Sequence, residues 1–228
     1  MIYDERLAAF LHSLDSGNGS FLDDLQAAAS REGVPVIRQE MQSFLQVFLE
    51  LKKPSRILEV GTAVGFSALL MASFTPPDTQ IITIENYEKR LEQARKNIAS
   101  SPWSSRVKLL AEDAAIALKR LPEEQGEEAF DFIFMDAAKA QYIHFLPDVL
   151  RLLAPGGILI SDNVLQDGVI LESHYAVERR DRTIYKRMRE YLYALRHTDS
   201  LVTSIVPIGD GAAVSVKKTQ GGSSGLHA

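Results

Sequence analysis

Cysteine is absent from the 228 residues. That excludes disulfides, thiolate metal sites and cysteine nucleophiles, and it is compatible with a reducing compartment. Long hydrophobic runs are missing as well, since no uninterrupted apolar stretch approaches the roughly 18 residues of a membrane span. The opening residues, MIYDERLAAF, place Asp4 and Glu5 before any apolar run and show no basic segment ahead of a hydrophobic one, so no secretory signal is visible. The expectation is a soluble, cytoplasmic protein with no membrane partner. Histidine is scarce, and His12, His144, His174, His197 and His227 lie too far apart to form a ligand set, so none receives a role. What is present is ordinary globular material, 46% hydrophobic and 24% charged. A chain this long fits one domain over 1–218, followed by a small polar tail, 219–228, expected to be disordered and without function.

Over 1–52 the pattern is helical. Leu7, Phe10, Leu11 and Leu14 recur at helical spacing, as do Phe44, Leu45, Phe48, Leu49 and Leu51. Ser16-Gly17-Asn18-Gly19-Ser20 and Gly33-Val34-Pro35 break these stretches. Over 53–218 strand, turn and helix alternate. Short apolar runs stand at 56–60, 80–84, 106–110, 131–135 and 157–161, and they are continuous rather than alternating, which fits a parallel sheet covered on both faces. The runs 201–206 and 212–216, joined through Gly209-Asp210-Gly211, predict an antiparallel hairpin at the sheet edge. The fold class is α/β and Rossmann-like: seven strands, mostly parallel, with N-terminal helices and an antiparallel C-terminal hairpin.

In such a sheet ligands bind beyond the carboxyl ends of the strands. Glu59-Val60-Gly61-Thr62-Ala63-Val64-Gly65 sits there, with Gly61 permitting close backbone approach and Gly65 close packing as the next helix starts. A dinucleotide loop would read G-x-G-x-x-G, and position 63 is Ala. Glu59 would repel a pyrophosphate but tolerate an ammonium and a sulfonium. Glu85 closes the next strand, where a carboxylate can accept ribose hydroxyls; an ordinary solvated strand end is the alternative. Asp136 and Asp162-Asn163 end the fourth and fifth strands. Carboxylate and amide oxygens without His or Cys suit a hard octahedral cation, Mg²⁺ (or Mn²⁺), although Asp and Asn are also common turn residues. Three protein ligands leave room for water and two substrate oxygens.

E-x-G-x-x-x-G, the acidic end of the second strand, Glu112-Asp113-Ala114, M-D-x-x-K and S-D-N together resemble the cation-dependent S-adenosylmethionine O-methyltransferases, which include catechol and caffeoyl-CoA enzymes, over about residues 38–217. The resemblance implies a class I methyltransferase fold and S-adenosylmethionine as cofactor. Gly61, Thr62 and Ser67 would line its methionine moiety, Glu85 would hold the ribose, Asp113 and Ala114 would border the adenine, and Glu59 and Asp136 complete the set. It further implies Asp136, Asp162 and Asn163 as metal ligands and Lys139 as general base, a lysine whose ammonium form a nearby divalent cation disfavours. Many relatives carry Asp where this chain has Ala138. Family habit suggests a homodimer.

Charge is unevenly spread. Residues 178–189, ERRDRTIYKRMR, hold six basic and two acidic side chains, a local +4 in a chain of −5, so the rest carries −9. On a helix Arg179, Arg182, Lys186 and Arg189 share one face, with Arg180 and Arg187 flanking and Ile184, Met188, Tyr191 and Leu195 nearly opposite. A solvated amphipathic helix is one reading, and a phosphate-binding face is the other. NVLQDG (163–168), this basic run and Pro207-Ile208-Gly209-Asp210-Gly211 resemble the branch of bacterial tRNA 5-hydroxyuridine methyltransferases, which implies a tRNA anticodon stem-loop as partner and 5-methoxyuridine as product. The alternative is a small-molecule catechol or hydroxycinnamoyl-CoA O-methyltransferase. A catalytically silent RNA-binding protein is disfavoured by the joint presence of Asp136, Lys139, Asp162 and Asn163.

Overall fold

The computed structural model describes residues 5–172 and 177–219. Three helices lead: α1 (Glu5–Ser13), α2 (Ser20–Arg31) and α3 (Gln39–Lys52). Strand–helix units follow: β1 (Arg56–Val60), α4 (Phe66–Ser73), β2 (Gln80–Glu85), α5 (Glu88–Ser100), β3 (Val107–Ala111), α6 (Ala114–Gln125), β4 (Phe130–Met135), α7 (Tyr142–Leu152) and β5 (Leu153–Ser161). Helix α8 (Arg182–His197) and the strands β6 (Leu201–Val206) and β7 (Ala212–Lys217) close the chain.

One seven-stranded sheet results, in the order β3-β2-β1-β4-β5-β7-β6. The first five strands pair in parallel, and β7 runs antiparallel to both β5 and β6. The order reverses between β1 and β4, which opens a crevice beyond their carboxyl ends. Alternation along each strand feeds two apolar layers. Ile57, Ile81, Phe132 and Phe134 pack with α2, α3 and α4 on one face, whereas Leu58, Val60, Ile82 and Ile133 pack with α6, α7 and α8 on the other. The same period turns Glu59 toward the first layer, where it is fully buried.

Four departures from the sequence reading have physical causes. β5 starts at Leu153 rather than 157, because a bulge opposite Phe130–Phe132 absorbs Ala154-Pro155-Gly156-Gly157. Arg106 lies in a 3-10 turn ahead of β3 rather than in it. Helix α8 starts at Arg182, so Arg179 and Arg180 stand outside it: Asp181 N–H bonds back to the Glu178 carbonyl at 2.9 Å, and the helix begins with Tyr185 N–H on the Asp181 carbonyl at 2.8 Å. Tyr185, not Ile184, joins Met188, Tyr191 and Leu195 on the buried face. The helical spacing of Leu7, Phe10 and Leu11 is realised in α1, where they and the following Leu14 are exposed. The expected disorder of 219–228 falls, from 220 onward, outside the described residues, as do His174 and His227. Among the described residues no helix is long and apolar enough to cross a membrane.

Candidate active site

The loop after β1 is shaped by its backbone. Gly61 and Gly65 have φ of +104° and +88°, and Ala63 lies at +46°. A Cβ on Gly61 would stand 2.0 Å from the Asp136 carbonyl oxygen, so only glycine lets β1 and β4 deliver their ends side by side. Ala63 N–H donates to Glu85 Oε2 at 2.8 Å, while Asn86 N–H and Tyr87 N–H donate to Oε1 at 3.0 and 2.9 Å. Glu85 is thus held as an oriented carboxylate rather than as a solvated strand end. Asp113 caps α6 through Ala115 N–H at 2.8 Å and accepts from Asn86 Nδ2 at 3.2 Å. Gly61, Ala63, Glu85, Asp113, Ala114 and Asp136 line one cleft of about 340 Å³.

Beneath that loop Glu59 is enclosed. Thr83 Oγ1 donates to its Oε2 at 2.5 Å, and Thr62 Oγ1 lies 2.5 Å from Thr83 Oγ1. Oε1 has no hydrogen-bond partner among the described residues. Burial pushes the carboxyl up to about 7, offset in part by the Ser67 and Thr83 hydroxyls. A smaller cavity above Gly61, Thr62 and Ser67 is walled by Pro35, Val36 and Ile37. An orphaned buried carboxylate oxygen, a glycine cradle and an oriented carboxylate fit a cofactor with a cationic amino-acid end and a ribose.

The substrate side is assembled by side chains. Asp136 N–H bonds the Val60 carbonyl at 2.9 Å, and Asp162 N–H bonds the Met135 carbonyl at 3.0 Å, so both aspartates emerge from adjacent strand ends. Lys139, in a 3-10 turn over 139–141, donates from Nζ to Asp136 Oδ1 at 2.6 Å and to the Tyr142 hydroxyl at 3.2 Å. Tyr142, fully buried, accepts from Ala137 N–H at 3.3 Å and donates to the carbonyls of Met135 and Asp162 at 3.0 and 3.2 Å. Burial pushes the Asp162 carboxyl up to about 7, with the Asp136 charge adding and Lys139 opposing. Asn163 takes φ +56°, and its Nδ2 donates to Asp210 Oδ2 at 3.2 Å. Among the described residues no three or more His, Cys, Asp or Glu side chains are grouped so as to hold a metal ion by themselves; the oxygen set here is two carboxylates and an amide. That set, with one carboxylate held in an anion-averse environment, fits a hard divalent cation.

The basic residues divide by job. Arg187 Nη1 donates to the Ala140 carbonyl at 3.2 Å, tying α8 to the Lys139 turn. Arg189 donates to the Ile170 carbonyl at 3.0 Å and lies over the Tyr185 ring. Arg182 donates through Nε to the Val177 carbonyl at 3.2 Å. Arg180 pairs with Glu178 and Asp181, and Lys186 stands 3.9 Å from Glu190. Arg179, Arg182 and Lys186 are exposed, and Arg182, Lys186 and Arg187 line an open hollow. Sequence reasoning missed Thr83, Tyr142 and Arg38, whose Nη2 meets Asp210 Oδ1 at 2.6 Å; Asp210 stood in a quoted motif with no role attached.

A Rossmann-like sheet of this order, with a glycine cradle and an oriented acidic residue at its switch point, is the architecture of the class I methyltransferases. The chain belongs to the O-methyltransferase family, whose model matches residues 13–218. A catechol O-methyltransferase of Niastella koreensis is 32% identical over 204 residues, covering 86% of this chain and 91% of that protein. A caffeoyl-CoA O-methyltransferase of Populus kitakamiensis is 28% identical, covering 75% and 73% of the two chains. Among solved structures, a candidate caffeoyl-CoA O-methyltransferase from Staphylococcus aureus superposes with a TM-score of 0.83 at 28% identity, covering 92% of this chain and 98% of that one.

Proposed function

We propose that the protein transfers the methyl group of S-adenosylmethionine to the 5-hydroxyl of wobble 5-hydroxyuridine in tRNA, giving 5-methoxyuridine. The observation that carries this reading is the basic start of α8 fastened to the catalytic turn through Arg187 and the Ala140 carbonyl. Cations presented by Arg179, Arg182 and Lys186 on an otherwise acidic chain suit the phosphates of an anticodon stem-loop, and an unpaired wobble base enters a cleft without melting a duplex.

Asp136, Asp162 and Asn163 would hold Mg²⁺ (or Mn²⁺), which supplies the positive charge that eases deprotonation of a neighbouring hydroxyl. Glu85 would hold the ribose, Asp113 and Ala114 would border the adenine, and Glu59 with Gly61, Thr62 and Ser67 would enclose the amino-acid end. Lys139, as the neutral amine, would take the hydroxyl proton at Nζ, and S-adenosylmethionine, when bound, would supply the methyl group from its sulfonium. Tyr142 keeps that lysine aimed. The exposed Leu7, Phe10 and Leu11 of α1, with Leu14 just beyond its end, suit a second copy of the chain, so a homodimer in the cytoplasm completes the proposal.

A second reading, a small-molecule catechol or hydroxycinnamoyl-CoA O-methyltransferase, is favoured by the relatives named above. Labelled S-adenosylmethionine offered with hydroxyuridine-containing tRNA and with a simple catechol separates the two. The triple variant Arg179→Gln, Arg182→Gln, Lys186→Gln should lose most tRNA labelling, with a shallower salt dependence, while catechol labelling persists. Equal loss on both substrates, or labelling of catechol alone by the unaltered protein, would return the protein to the small-molecule reading.

A further inference from the structure

The turn between β6 and β7 is fastened to the Asp162-Asn163 loop more tightly than a hairpin turn requires. Val164 N–H bonds the Gly211 carbonyl at 2.9 Å, and the Asp210 carbonyl accepts from Leu165 N–H at 2.9 Å and Gln166 N–H at 3.2 Å. A Cβ on Gly211 (φ +89°) would lie 2.3 Å from Leu165 Cγ, so the turn and the loop are in close contact. These backbone bonds would hold the turn whatever side chain stood at 210. The side chain nevertheless makes specific contacts. Asn163 Nδ2 donates to Oδ2 at 3.2 Å, and Arg38, at the entrance to α3, meets Oδ1 through Nη2 at 2.6 Å.

An asparagine amide carries one oxygen that can ligate a cation and one NH₂ that cannot, and the two orientations differ little in shape. An ionised carboxylate only accepts hydrogen bonds. Placed beside Asn163, it therefore selects the orientation in which the NH₂ faces Asp210 and the oxygen faces away. The Arg38 guanidinium, against the other carboxylate oxygen, holds that carboxylate in place.

We propose that Asp210 is a positioning residue that presents the oxygen of Asn163, rather than its nitrogen, to the divalent cation, and that Arg38 anchors Asp210 in this role. The inference rests on the metal reading given above. It links three distant parts of the chain: the entrance to α3, the loop after β5 and the terminal hairpin.

The test is Mn²⁺ binding to the full-length protein, followed by the electron paramagnetic resonance of free Mn²⁺, with circular dichroism melting as the check on folding. Asp210→Asn should weaken Mn²⁺ binding by roughly 10–100-fold while the fold persists, as loss of an outer partner of a ligand does elsewhere. Arg38→Met, which keeps Asp210 and removes only its anchor, should give a smaller loss and serves if Asp210→Asn does not fold. In an Asn163→Asp background there is no NH₂ to aim, so adding Asp210→Asn should no longer weaken binding and should relieve repulsion between two carboxylates. Wild-type affinity in Asp210→Asn, unchanged affinity in Arg38→Met, or the same loss in both backgrounds would overturn the proposal. Failure of the unaltered protein to bind Mn²⁺ is a separate outcome, one that removes the metal reading itself and this inference with it.

Discussion

The two halves of the rim are built by different means. On the cofactor side the backbone does the shaping: left-handed residues at 61, 63 and 65, and three amides that aim Glu85. On the substrate side side chains do it, with Lys139, Tyr142, Asn163 and Asp210 bonding to one another and to strand-end carbonyls. Yet each half encloses one carboxylate, Glu59 or Asp162, pushed up to about 7 chiefly by burial. Glu59 has only hydroxyls to offset that, and Asp162 has Lys139. Both environments favour a positive charge, in keeping with the organic cation proposed for the first and the metal proposed for the second.

The separation can be broken most forcefully at Lys139. If it is the base, Lys139→Met should lower kcat by roughly 10²–10⁴-fold. S-adenosylmethionine affinity, measured by calorimetry, should stay as it was. A comparable fall in cofactor affinity would mean that the halves do not act separately.

Glu59 gives the next largest effect, with a sign that can be worked out. The carboxyl titrates near 4.5 unfolded and near 7 folded. Between those values the folded chain keeps a proton that the unfolded chain has lost, so stability falls as pH rises from 4.5 to 7 and is level above. The full difference is on the order of 3 kcal/mol. Glu59→Gln should remove that slope, leaving the ligand-free protein more stable than wild type at pH 8 in urea melts. It should weaken S-adenosylmethionine binding and leave Mn²⁺ binding alone, whereas Asp162→Asn should do the reverse. Gly61→Ala is the single change that should injure both halves, because its Cβ would strike the Asp136 carbonyl. Strain at the left-handed φ adds about 1–3 kcal/mol to that clash, read as a lowered Tm together with lost affinity for both ligands.

The same contrast decides what was legible in the sequence. All seven strands could be read, because each is a short apolar run between turn residues; the full strand order could not, since right-handed crossovers fix the face each helix covers and not where the order reverses. The backbone-built half was legible too, since a glycine at 61 and an acid at 85 leave a local signature. The start of α8 was not: periodicity runs smoothly through Arg179, and only the hydrogen bonds around Asp181 show where the helix begins. Tyr142 and Asp210 were silent for another reason. Their roles depend on contacts with residues 20 and 47 positions away, Asp162 and Asn163, which no local spacing encodes.

The smallest predicted effects sharpen the comparison best. Thr83→Val and Tyr142→Phe each remove one buried hydroxyl, one from either half. Thr83 donates to the Glu59 carboxyl, and Tyr142 bonds Lys139 and bridges the carbonyls of Met135 and Asp162. A neutral hydrogen bond contributes about 0.5–1.5 kcal/mol, and one to a charged group about 1.5–3. Below pH 7 Glu59 is protonated, so Thr83→Val should cost the smaller amount; above pH 7 the carboxylate forms and the cost should rise toward the larger. Tyr142 has its phenol pushed well above the usual value by burial and the nearby aspartates, and keeps its proton throughout. The cost of Tyr142→Phe should therefore be level from pH 6 to 8. Urea denaturation of both variants across that range is the measurement. Parallel profiles would show that Glu59 does not titrate in that window, and the likeness drawn between the two buried carboxylates would fail at its cofactor end.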